Sequence, residues 1–239
     1  MMLLPVRREL LATIEEQAMV ASLLAKIVGE ILQGRESAHS MRLVDLDQRR
    51  EDLHRRGMAT VVSIFGGRVG ADEVHHTLET LDRVAARLFR TARGVHLLAS
   101  DTDEACRSML EVIQRATERL LQGYTRLAYG SLAAELDAEV AIRSRDVLEA
   151  GRVGNSTAVQ APPAEGCADD GTCAVAGVAD PARSRRIDEL YANLSDISHE
   201  LAGAGTILKR WVRQLSGSAH DSATGSLRCS LFDQGVVVI

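Results

Sequence analysis

Lysine is nearly missing: it stands at positions 26 and 209 only, among 28 basic residues, so chemistry that runs through a lysine amine has little to draw on. Aromatic residues make up 3% of the 239-residue chain and prolines number four, which disfavours a sheet protein and points to helices packed on aliphatic seams. Apolar windows are short. The longest, such as "AMVASLLAKIV" at 18–28, meet charge well before the roughly 20 residues that span a bilayer. A basic stripe is also lacking, and the formal net charge of −5 argues against a general nucleic-acid binder. The opening "MMLLPVRRELLATIEEQ" puts apolar residues before basic ones and acids directly after, the wrong order for a secretory signal, so a cytoplasmic protein is expected.

Cysteines are few and scattered, at 106, 167, 173 and 229. Cys167 and Cys173, in "GCADDGTC", lack the second tight pair or neighbouring histidines that a zinc knuckle needs. They read as part of a solvent-facing loop. No glycine-elbow serine, no phosphate-cradling loop with lysine and no dinucleotide fingerprint occurs.

What is present is helical periodicity. From Val6 to Gln33, Leu10, Ile14, Val20, Leu23, Leu24, Ile27, Val28 and Ile31 recur at threes and fours, and Gly34 is a stop. A second helix is expected from Ala38 to Ile64, ending at "FGGRVG", and a third from there to Ala99. Ser100 or Asp101 would cap the fourth, and the fifth would cover Leu132 to Ala150. Residues 151–180 lack an apolar period and read as a flexible Gly/Ala/Pro/Cys-containing insertion. Pro181 opens a long sixth helix, 181–216, in which Gly203 and Gly205 mark either a local weakness or a close crossing; a flexible tail, 217–239, follows. The expectation is an all-α, up-and-down helical bundle, with residues 1–150 supplying five helices and the sixth completing two tandem three-helix units.

Within "LVDLDQRREDLHRR" (43–56), Asp47 and Glu51 are four apart and share a helix face. Spacing alone favours a solvated charged surface over a cation site. Counting the helical rise puts Glu51 roughly 21 Å and Asp82 roughly 15 Å from the same turn, so they could face one another. In the second half Glu139 and Asp196 fall roughly 16 Å and roughly 22 Å from the loop between helices five and six, which allows a second shared acidic site. Two Glu-x-x-His pairs, Glu51/His54 and Glu73/His76, raise a di-iron reading, but the same count puts them at different levels.

The stretches "LLPVRRELLATIEEQAMVASLLAKIV", "DLDQRREDLHRR", "FGGRVGADEVHHTLETLDRVAARL" and "RRIDELYANLSDISHELAGAGTIL" together resemble the PhoU-like phosphate-transport regulators, in particular the short branch associated with Pit-type phosphate transporters. The resemblance covers most of the chain outside 151–180 and the tail. It implies a pair of three-helix bundles whose carboxylates bind iron or other metal ions in some members. Asp47 and Glu51 match the acidic pair, and Asp72 and Glu73 match the acids of the turn after Phe65, where Arg68 stands at the proline position. Asp82 matches the first residue of an Asp-Asp-x-x-Asp cluster whose other places hold Arg83 and Ala86, while Ser195, Asp196 and His199 stand at the corresponding places of the second half. The resemblance thus implies partial ligand sets, Asp47, Glu51 and Asp82 in one half and Glu135, Glu139, Asp196 and His199 in the other, with iron or another divalent metal bound weakly or lost because arginine replaces a carboxylate.

The function so implied is a non-enzymatic regulator or accessory protein of inorganic phosphate uptake. It would contact a phosphate transporter or signalling protein at the cytoplasmic face, peripheral to the membrane through that partner, and self-association into a homo-oligomer is compatible with its long helix faces. The alternative is a carboxylate-ligated iron or manganese bundle with a storage or enzymatic role.

Overall fold

The computed structural model describes residues 3–65, 71–95, 104–158 and 181–224, and among them every regular element is an α-helix. The order is α1 Leu3–Leu32, α2 Met41–Phe65, α3 Ala71–Val95, α4 Glu104–Ala128, α5 Ala134–Ala158 and α6 Pro181–Thr224. The expected all-α helical bundle is what the chain forms.

Helix ends follow local chemistry. Gly34 has φ 68° and donates its N–H to Ile31 O at 2.9 Å, while Arg35 N–H reaches back to Glu30 O at 2.8 Å, closing the last carbonyls of α1. α4 ends in the same way. Gly130 has φ 71°, its N–H bonds Leu127 O at 2.9 Å, and Ser131 N–H bonds Arg126 O at 2.9 Å. Only a residue without Cβ takes this left-handed backbone cheaply. Ser40 then accepts the Leu43 N–H on its Oγ at 3.3 Å, which is why α2 starts at Met41 and not at Ala38.

α1, α2 and α3 each pack on the other two, as do α4, α5 and α6, an arrangement compatible with two three-helix units. The halves meet through α1 against α4 and α3 against α6. Between α1 and α4, Thr125 Oγ1 bonds Glu15 Oε1 at 2.6 Å and Gln114 Nε2 bonds Ala25 O at 3.0 Å, which fixes an antiparallel register. α1 lies against three neighbours, so it buries side chains on a broad face: Ile14, Ala18, Val20, Ala21, Leu24, Ile27 and Val28 are all nearly inaccessible. One apolar core links all six helices. At one end of it, Trp211 meets Tyr124 edge-on with ring centroids 6.4 Å apart, and donates its indole N–H to Glu73 at 3.1 Å.

Two helices run eight residues past their expected C-terminal ends. α5 continues past Ala150 to Ala158, since Gly151 and Gly154 lower helix propensity without removing a backbone hydrogen bond. α6 extends past 216 to Thr224 and passes through Gly203 and Gly205 unbroken. Gly205 is a close crossing: a Cβ there would stand 2.8 Å from Ala138 O and 3.1 Å from the Ala141 Cβ of α5. Gly203 has open space around it. The proposed cap of α4 at Ser100 or Asp101, the Cys167/Cys173 loop and the tail from 225 lie outside the described residues. No described helix is long and apolar enough to cross a membrane.

Candidate functional site

On α2 the buried seam is Leu43, Leu46, Leu53 and Val61. Asp47 and Arg50 flank this seam on the side of α3, one turn apart, and Asp82 approaches from α3. The three expected acids do converge, and what they converge on is an arginine. Arg50 Nε bonds Asp47 Oδ1 at 2.8 Å, Nη1 bonds Asp82 Oδ1 at 2.8 Å, and Nη2 reaches Glu51 Oε1 at 3.2 Å. The Arg50 side chain is 15% exposed and its two aspartates 22% and 19%, whereas Glu51, at 57%, stands in solvent. Burial by itself would favour loss of the Arg50 proton. Hydrogen bonds and charge from Asp47 and Asp82 outweigh it and raise the pKa above its ordinary value, so the group is a fixed cation.

The second half arranges its acids differently. Glu135 pairs with Arg213 at 3.2 Å, Glu139 with Lys209 at 2.5 Å and Arg143 at 3.3 Å, and Asp196 with Arg87 of α3 at 2.6 Å. His199 lies 3.0 Å from Ser195 O through Nδ1 and 3.5 Å from Glu149 through Nε2. These residues do not form the shared acidic site that the depth count allowed. With Glu139 opposite Lys209, Asp196 lies 13 residues nearer the start of α6, about 20 Å away at the helical rise. The count had started from a helix end at Ala150, and α5 does not stop there.

A carboxylate outside the expected set is the most buried among the described residues. Asp137, 1% exposed, is held by Arg126 at 2.6 Å and Arg119 at 3.3 Å, both from α4. Its signal was in the sequence: Asp137 interrupts the apolar stripe Ala134, Ala138, Ala141 and Leu148 that seats α5. Gly123 makes room for it, since a Cβ at that point would come within 3.3 Å of the Asp137 Cβ and collide with Leu208.

The two Glu-x-x-His pairs do not combine either. Glu73 is taken by Arg210 at 2.9 Å and by Trp211, tying the start of α3 to α6, while Glu51 belongs to the Arg50 cluster. His54 keeps Nδ1 buried without a hydrogen-bond partner, and His76 is exposed. Among the described residues, no group of three or more His, Cys, Asp and Glu side chains is arranged to hold a metal ion. At Asp47, Glu51 and Asp82 a positive charge already stands between the carboxylates, and one oxygen of each accepts a hydrogen bond from Arg50. As they stand, these residues do not fit a bound metal. In comparisons with known proteins, no family model, curated protein or solved structure matches the chain.

Proposed function

We propose that the chain is a non-enzymatic, PhoU-like regulator or accessory protein of inorganic phosphate uptake, acting on the cytoplasmic side of the membrane by contact with a transporter or signalling partner. The observation that carries this reading is the meeting of Asp47, Glu51 and Asp82, the three first-half positions singled out by the resemblance, at one point between α2 and α3. A contact surface supports it. Tyr129, 86% exposed, with Leu132 and Leu136, also open to solvent, puts large apolar side chains around the turn between α4 and α5. The alternative reading, an iron- or manganese-binding bundle, is disfavoured by the guanidinium among its carboxylates.

The test is uptake of labelled phosphate in cells with and without the protein, together with affinity purification of the chain at native abundance. A phosphate permease identified in the eluate, lost in a Tyr129→Ser, Leu136→Ser variant that remains folded, and a changed uptake rate are expected. Unchanged uptake with no permease recovered overturns the reading.

A further inference from the structure

We infer that the outer face of α2 binds a second copy of this chain: the two α2 helices lie antiparallel about a two-fold axis level with Leu53 and His54, with Glu51 and Asp52 of each copy against Arg56 and Arg55 of the other, and Val62 of each against Val44. The inference does not depend on the phosphate reading, and it uses a different helix from the Tyr129 surface.

α2 packs on α1 and α3 and turns its opposite side to solvent. Large apolar side chains stand open on that side, Met41 and Val44 near its start and Val62 near its end. Val44 and Val62 are five helical turns apart, so they lie on one line along the helix. Single exposed apolar residues are ordinary, but two at matching distances from the middle of one stripe suit a two-fold contact. A second copy running the other way brings Val62 of each chain to the level of the other's Val44, within about one turn of Met41.

Charge fixes the direction. Glu51 and Asp52 come just before the midpoint, Arg55 and Arg56 just after it, and all four are exposed. Antiparallel pairing therefore sets position 51 opposite 56 and position 52 opposite 55, on both sides of the axis. A parallel copy in register would set acid on acid and base on base. Inside one chain these groups stay accessible. Arg55 meets Asp52 at 3.2 Å with both side chains more than half exposed, and Arg56 pairs with no acid among the described residues, its Nε lying 3.4 Å from the Asp52 carbonyl. The contact is one helix pair about 30 Å long. It falls in the small class of interface, below roughly 1,200 Å² in total, so a salt-sensitive dimer with micromolar dissociation is expected.

Sedimentation velocity of the full-length protein, from micromolar to near-millimolar concentration, tests the inference, with circular dichroism to show that each variant is folded. The wild type is expected to pass from monomer to dimer as concentration rises and to dissociate at high salt. Arg55→Glu gathers acids at the axis and Asp52→Arg gathers bases there; each is expected to weaken the dimer by about tenfold or more. An equimolar mixture of the two variants should dimerise like the wild type, because each supplies the charge the other lacks. Val62→Ser, which touches no charge, should weaken the dimer as well. A wild type that stays monomeric throughout overturns the inference. So does a dimer that both charge variants retain, a dimer lost only in Tyr129→Ser, Leu136→Ser, or a mixture that associates no better than either variant alone.

Discussion

The two halves solve the same packing problem with opposite charge arithmetic. Between α2 and α3 one arginine serves three carboxylates, and water reaches all of them. Between α4 and α5 one carboxylate is served by two arginines, and that carboxylate is 1% exposed. A nearly dry carboxylate must have its charge answered on the spot, because desolvation costs several kcal/mol if it is not. A cluster in a wet groove is cushioned by solvent, and its contacts each contribute little. The first cluster makes three hydrogen bonds and the second two, yet burial gives the second the greater weight.

The sharpest way to break this comparison is to remove the cations. Arg119→Ala with Arg126→Ala leaves Asp137 buried and unanswered, and a loss of about 3–5 kcal/mol is expected from urea unfolding followed by circular dichroism. The first-half counterpart, Arg50→Gln in metal-free buffer, is expected to cost about 1–2 kcal/mol, because the aspartates it abandons can be hydrated. Equal losses would show that burial is not what separates the halves.

Helix crossings give a finer contrast. In the second half, a Cβ at Gly205 runs against the Ala138 carbonyl, which is backbone and cannot step aside. In the first, a Cβ at Gly57 meets Leu78 methyls at 3.1 and 3.2 Å and Thr13 Cγ2 at 3.2 Å, side-chain atoms that can shift by a few tenths of an ångström. Gly205→Ala is expected to destabilise by about 1–3 kcal/mol and Gly57→Ala by less. Gly203→Ala, two residues from the first and with nothing nearby, is expected to stabilise by about 0.4–1 kcal/mol through the unfolded chain. Thermal melts of the three variants should rank in that order.

The smallest effect concerns pH. The Lys209 ammonium, by hydrogen bond and charge, holds Glu139 below its ordinary value of 4.5. A carboxylate whose folded pKa is depressed adds stability that is fully present above 4.5 and lost as pH falls through the lowered folded value. Lys209→Met should therefore flatten the dependence of the urea midpoint on pH below 4.5 and leave its slope at neutral pH unchanged.

Helix number, order and most of the core could be read from the spacing of apolar residues, because each helix buries a face at threes and fours. The convergence of Asp47, Glu51 and Asp82 was also legible. A short connection between α2 and α3 lets residue counting stand in for depth. The same arithmetic failed for Glu139 and Asp196, since residues 159–180 intervene between α5 and α6 and no stop signal marked the true end of α5 at Ala158. Arg50 was legible in the spacing too: of the four arginines in its stretch it is the one in step with the buried seam, seven after Leu43, four after Leu46 and three before Leu53. Asp137 could have been found by asking which charged residue sits in an otherwise alanine-lined stripe.

Trp211 is the only tryptophan of the chain, and it sits where α3, α4 and α6 come together, bonded to Glu73 and edge-on to Tyr124. Its emission colour is therefore a built-in optical gauge of the joint between the two halves. Should α6 part from α3 or α4, the indole would shift toward the red as water reached it, so a loosening of that joint could be followed without attaching any dye.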